Sequence, residues 1–184
     1  MPGENLTRVE AQERKSLVSV SSYDITLDLT TGSETFASTT TVTFSSTAGS
    51  STFIDAITRR VDSVTLNGTQ LDPADVSDGL RIRLDDLAED NVLTVVSEAE
   101  YTNTGEGLHR FVDPVDNEVY LYTQFEVPDA RRVYATFVQP DLKAVFTFHV
   151  TAREDWKVVS NAPTPEPESL GDGKADCESS IVRR

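Results

Sequence analysis

Tyr120-Leu121-Tyr122-Thr123-Gln124-Phe125-Glu126 is the stretch on which the reading of this chain turns. Aromatic and β-branched residues fill it, the composition that a pleated, half-buried surface favours. An extended backbone sends Tyr120, Tyr122 and Gln124 to one side and Leu121, Thr123 and Phe125 to the other. The strand then ends on an acid, and Val127-Pro128-Asp129 stops the ladder because Pro128 has no amide proton to donate. Gln124 and Glu126 project from one face only while the backbone stays extended. A rigid sheet can then hold both polar groups toward a neighbour. Taken alone, such a pair is also what an ordinary solvated strand end carries.

Outward from this stretch the texture is β nearly throughout. Residues 23–29 alternate cleanly, with Tyr23, Ile25, Leu27 and Leu29 on the buried side. Residues 35–44 form a threonine-rich strand whose inner face the pattern does not decide. Short strands are expected at 51–56 and 60–66, and Asn67-Gly68 marks a tight hairpin, since both residues tolerate positive φ. A loop follows at 72–75, then a strand at 79–84 with Leu80, Ile82 and Leu84 inward, an acidic connector at 85–90 and a strand at 91–101. Further strands are expected at 142–152 and 157–161. Helical texture is confined to 5–18, where Leu6, Val9 and Ala11 are sparse apolar positions and Asn5 or Thr7 supplies a cap.

Successive strands with short turns predict an all-β chain, β-sandwich-like, of two layered sheets or one strongly curved antiparallel sheet. Residues 162–184, with Pro163, Pro165 and Pro167, read as a polar tail. The expected organisation is one domain over 1–184: a leading helix at 5–18, a β core at 19–161 and the tail at 162–184. The chain looks cut ahead of a further domain.

The 184 residues suffice for one sizeable core, and 38% hydrophobic with 26% charged residues is an ordinary globular composition. A formal net charge of −15 argues against nucleic acid and against anionic membrane surfaces as partners. No apolar run approaches the roughly 20 residues of a spanning helix. The opening Met1-Pro2-Gly3-Glu4-Asn5 has no basic start and no apolar centre, and Cys177 has no second cysteine to pair with. A cytoplasmic location is expected.

Little of the familiar chemistry is spelled out. His109, in a loop-like stretch, and His149, inside a strand, match no zinc spacing, and no His-Glu-x-x-His occurs. Cys177 has only Lys174 near it in sequence, so nothing activates a thiolate there. Asp113, Asp116 and Asn117 resemble part of a calcium loop but lack its glycine and distal glutamate. Arg131 and Arg132 suit a structural role, tying carbonyls or a carboxylate and holding the loop after the strand. No metal and no cofactor is expected on this chain, and no hydrolysis by it alone.

The order of short motifs says more. Gly107-Leu108-His109-Arg110-Phe111, then Thr123-Gln124-Phe125-Glu126, Asp129-Ala130-Arg131-Arg132, Gln139-Pro140-Asp141-Leu142-Lys143-Ala144 and Trp156-Lys157-Val158-Val159-Ser160-Asn161 follow one another. Together they resemble the N-terminal domain of the M1 family of zinc aminopeptidases, the aminopeptidase N group. The resemblance covers about 5–161 in texture and is specific over 107–161. It implies a saddle-shaped β domain ahead of a thermolysin-like catalytic domain, which holds the zinc. That catalytic domain is then the chain's partner, and the N-terminus of a peptide its substrate.

By the same resemblance Glu126 matches the family glutamate that reaches into the active site and binds the free α-amino group. Gln124 matches the glutamine lining the pocket for the first side chain. An ammonium leaving water needs a carboxylate to offset its desolvation, and holding it at one distance admits only the first peptide bond to the reaction. One departure stands out: many members carry Pro-Cys-Phe-Asp-Glu-Pro where this chain reads Ala135-Thr136-Phe137-Val138-Gln139-Pro140. A stand-alone β-sandwich binding module suits the threonine-rich strands too. So does a relative with an epoxide hydrolase or scaffold role, although Gln-Phe-Glu with its final glutamate points toward an aminopeptidase.

Overall fold

The structure is a computed structural model that describes residues 5–163 and 166–182. The helical stretch forms α1, Arg8–Leu17. Of the two expected caps Thr7 is the one used. Its Oγ1 accepts from Glu10 N at 3.2 Å, and its own N–H donates to Glu10 Oε2 at 2.8 Å. This reciprocal pair satisfies two of the amides that a helix start leaves open.

From α1 the chain passes directly into β1, Val18–Asp28, whose residues alternate between buried and open sides, burial passing from even to odd positions at the irregularity between Val20 and Ser22. Tyr23, Ile25 and Leu27 face inward as expected. β2, Thr35–Ser46, resolves what its threonines concealed: Phe36, Ser38, Thr40, Val42 and Phe44 are its buried side. The next strands are β3, Thr52–Asp55, β4, Arg60–Leu66, and β5, Thr69–Leu71. Asn67 and Gly68 take φ of 51° and 81° at the β4–β5 turn, the primed geometry that favours these residues. The expected loop at 72–75 instead opens a four-residue helix, α2, Pro73–Val76, capped by Asp72. β6, Arg81–Leu84, and β7, Asp90–Glu100, follow.

The second half carries β8, Gly107–Val112, β9, Val119–Gln124, a 3₁₀ turn at Asp129–Arg132, β10, Val145–Arg153, β11, Glu168–Gly171, and β12, Lys174–Val182. An eight-stranded sheet runs in the order β11-β12-β10-β1-β2-β7-β4-β5, beside two-stranded sheets β3-β6 and β8-β9. The pairing is antiparallel except between β1 and β10, which run parallel from Ser22 opposite Val145 to Asp28 opposite Thr151. The fold is all-β and sandwich-like. Its core lies where the buried face of the large sheet, with Ile25, Val42, Leu93 and Val95, meets Ile54 and Ile82 of the β3–β6 pair, Leu108 of β8, and Val133 and Phe137.

Three further expectations need correction here. Residues 157–161 form no strand, and Val159 is 80% exposed. β10, the strand just before this β-branched run, is already paired on both edges, by β1 and β12, and offers it no ladder. Residues 162–184 were expected to lie outside the β core, yet β11 and β12 extend the large sheet, with Ala175 and Cys177 buried. Asp172 and Gly173 at φ of 52° and 73° form the turn between them. His109 sits on β8 rather than in a loop.

Candidate functional site

β9 ends at Gln124, two residues short of the expected Glu126, and the backbone there is held from several sides. Gln124 Oε1 accepts a hydrogen bond from Glu126 N at 2.8 Å. Phe125 turns inward, its ring edge-on to Tyr134 at 5.7 Å. The Val127–Pro128 peptide is cis, and the 3₁₀ turn begins at Asp129.

That turn is clamped in its own right. Arg132 Nε donates to Asp129 Oδ1 at 2.9 Å, and the same guanidinium lies 3.6 Å from Glu106. Ile57 N donates to Arg131 O at 2.8 Å. Gly107, opposite Gln124 in the β8–β9 ladder, lies so close to this turn that a Cβ on it would fall 2.9 Å from Arg132 Cβ. Arg132 thus ties the loop, and the Arg131 side chain is buried.

Glu126 itself is exposed, as is Gln124. Among the described residues no cationic side chain forms an ion pair with Glu126, Arg132 being engaged with Asp129 and Glu106. Glu126 borders a cleft of about 350 Å³ whose lining includes Phe125, Tyr134, Val138, Lys143 and Phe146. A larger groove of about 820 Å³ lies along the inner side of β9, against Phe146, Phe148 and Trp156. Phe125 belongs to both walls.

The far side of the smaller cleft is fixed by a buried ionic network that the sequence reading missed. Arg14 Nη1 lies 2.9 Å from Asp55 Oδ2, both side chains only 1% exposed. Arg14 Nε donates to Gln139 Oε1 at 3.1 Å, and Gln139 Nε2 donates to Ala11 O at 2.9 Å. Asp55 Oδ2 also accepts from Val138 N at 3.3 Å. Arg81 extends the network, 3.8 Å from Asp55 and 2.6 Å from Glu10. The Arg81 hydrogen bond, helped by those from Thr7, outweighs burial and lowers the Glu10 carboxyl from 4.5 to about 2. Phe53 receives both guanidiniums on its ring, at 4.8 Å for Arg14 and 4.0 Å for Arg81. Tyr23 joins from β1, its hydroxyl accepting from Phe137 N at 3.1 Å, and burial raises its pKa. Val138, where the resemblance predicts an acid, makes its polar contacts through main-chain N and O.

The remaining candidates resolve into local structure. His109 stacks on Tyr122 at 4.7 Å and accepts from Gly105 N at Nδ1. His149 lies 3.5 Å from Asp24 and 4.0 Å from Glu178. Asp113 and Asp116 accept from the amides of Val115 and Glu118, closing their own turn. Burial pushes the Cys177 thiol up, away from a reactive thiolate. Among the described residues no three His, Cys, Asp or Glu side chains converge as a metal site would require, and no helix is long and apolar enough to cross a membrane.

Comparison with known proteins bears on this geometry. Residues 19–178 match the family model of the peptidase M1 N-terminal domain. Aminopeptidase N of Streptomyces lividans is 58% identical over 172 residues, which are 91% of this chain and 20% of that protein. A probable aminopeptidase 1 of Saccharolobus solfataricus is 39% identical over 35% of this chain and 8% of its own length. A probable M1 family aminopeptidase 1 of Encephalitozoon cuniculi is 36% identical over 46% of this chain and 10% of its own. The chain thus spans about a fifth of the first of these relatives and less of the others. On the match over 19–178 and the identity to an aminopeptidase N, the chain belongs to the M1 peptidase family and carries its N-terminal domain.

Proposed function

We propose that this chain is the N-terminal substrate-recognition domain of a zinc-dependent aminopeptidase, with Glu126 binding the α-ammonium of a peptide and Gln124 beside it. One observation carries the reading: Glu126 is an exposed carboxylate on a rigidly held strand end, beside a cleft, with no ion pair among the described residues. A carboxylate in that state has its charge available to a cationic ligand. The resemblance to zinc aminopeptidases implies zinc, but the described residues do not fit a zinc site, so in this reading the metal and the hydrolytic step belong to another part of the polypeptide.

What this chain contributes is position. A free amino terminus that pairs with Glu126 is held at one place, and only the peptide bond next to it lies within reach of a centre supplied from outside. The anchor favours peptides with an uncapped, protonated terminus and works against acylated ones, which cannot offer a cation. The domain is inactive by itself in this reading and works in a cytoplasmic enzyme.

Kinetics of the full-length protein test it. Glu126→Ala removes a charged hydrogen-bond partner worth about 1.5–3 kcal/mol, and kcat/KM for aminoacyl substrates should fall by about 10- to 150-fold. Unchanged kinetics would take Glu126 out of the site.

A further inference from the structure

The cleft beside Glu126 is built from two segments of unequal strength. Phe125, Glu126 and Val127 line it from the clamped strand end, and Val138, Gln139 and Lys143 line it from the loop that leads to β10. That loop, residues 133–144, carries no helix and no strand longer than the isolated bridge between Asp55 and Thr136. Beyond Thr136 the wall is therefore held by side-chain bonds rather than by a ladder, and segments of that kind open at low cost.

α1 supplies those bonds at three residues of the loop. Arg14 Nη2 donates to Val138 O at 3.4 Å, and Lys15 Nζ donates to Asp141 O at 2.8 Å. Between them Gln139, only 7% exposed, grips the helix with both ends of its amide. Its Oε1 accepts from Arg14 Nε and its Nε2 donates to Ala11 O. An amide suits this place better than an acid. Arg14 and Arg81 already balance Asp55 and Glu10, so a carboxylate at 139 would add a buried charge, and it has no hydrogen to give to Ala11 O. α1 lies outside the residues 19–178 that match the family model, so this hold on the cleft comes from outside the matched domain.

We infer that Gln139 is a positioning residue for substrate: through it α1 sets the cleft wall against which a bound peptide packs, and with it the affinity for that peptide. The inference rests on the reading that Glu126 meets the α-ammonium. The atoms next to that ammonium then enter the cleft, with Phe125 on the strand-end side and Val138 on the side held by α1. A wall that shifts away loses its contacts with those atoms, and the loss falls on binding.

The test uses the full-length enzyme, with kcat and KM for a leucyl anilide measured separately. Gln139→Glu keeps the size of the side chain and an acceptor for Arg14 but removes the donor to Ala11 O. KM should rise about two- to twelvefold, with kcat little changed. A role in folding alone would lower the active fraction, so kcat would fall while KM stayed. That result, or kinetics equal to the parent, overturns the inference. Should Gln139→Glu fail to fold, Lys15→Met cuts the exposed tie to Asp141 O and leaves the buried pair intact. KM should then rise about twofold, and an unchanged KM overturns the inference. Kinetics of Glu126→Ala on the same footing separate the two claims. Activity that depends on Glu126 beside a KM that ignores Gln139→Glu defeats the positioning alone. A KM raised by Gln139→Glu beside activity indifferent to Glu126→Ala defeats the recognition reading alone.

Discussion

Gln124 Oε1 accepts the main-chain N–H of Glu126 at 2.8 Å, so the side chain of one residue fixes the backbone of the other. Gln124 is therefore a positioning residue for Glu126 as well as a neighbour of the proposed ligand. Gln124→Leu removes the acceptor, and a hydrogen bond of this kind contributes about 0.5–1.5 kcal/mol. The full-length enzyme should show KM for aminoacyl substrates raised about two- to tenfold. Gln124→Glu keeps an acceptor for the same amide, so it should retain more of the affinity than Gln124→Leu. Equal losses in the two variants would deny the positioning role.

Gly107 stands under the turn that follows Glu126. Its φ is +62°, and an added Cβ would meet Arg132 Cβ at 2.9 Å. Gly107→Ala should cost about 1–3 kcal/mol from strain and overpacking together. Urea denaturation of the variant reads this directly, and the midpoint should fall with little change in slope.

Arg14 and Asp55 make a buried pair in which each side chain is 1% exposed. Arg14→Met leaves the carboxylate buried with Arg81 at 3.8 Å as its remaining cation. Removing one partner of such a pair costs about 3–5 kcal/mol. The loss should show as faster exchange at the Val138 and Leu142 amides, whose loop the network holds. Stability within about 0.5 kcal/mol of the parent would contradict the role given to this pair.

Acid should act on the same network. The Glu10 carboxyl titrates near 2 when folded against 4.5 ordinarily, chiefly because Arg81 donates to it. A group whose folded pKa is depressed stabilises the fold above its unfolded pKa and loses that contribution as pH falls through the folded one. Stability contributed by Glu10 is then present above about 4.5 and lost toward about 2. Thermal melts across that window should show a shallower acid dependence in Glu10→Gln than in the parent.

Much of this fold was legible in the sequence, and the misses have physical causes. Tyr23, Ile25 and Leu27 alternate with polar residues, so their burial follows from the period of two. β2 was opaque because Ser38 and Thr40, each 1% exposed, sit on its buried side and its outer side is threonine as well. β12 was hidden because its buried positions, Ala175, Cys177 and Ser179, are small and carry little apolar signal. Residues 157–161 misled in the opposite sense, since β propensity cannot show that β10, the strand just before them, is already paired on both edges.

The site divides in the same way. Gln124 and Glu126 could be picked out as a strand-end pair, although the hydrogen bond between them could not. Arg14 and Asp55 lie 41 positions apart, on a helix and a strand, and no spacing rule links them. The one available signal was an acid inside the apolar run Thr52-Phe53-Ile54-Asp55-Ala56. A buried acid needs a buried base.

The most direct test of the central claim compares a free-amine peptide with its N-acetylated form in the full-length enzyme, before and after Glu126→Gln. If the Glu126 carboxylate binds the α-ammonium, the parent should prefer the free amine by about 10- to 150-fold, and Glu126→Gln should bring the two substrates close together. A preference that survives Glu126→Gln undiminished would contradict the account.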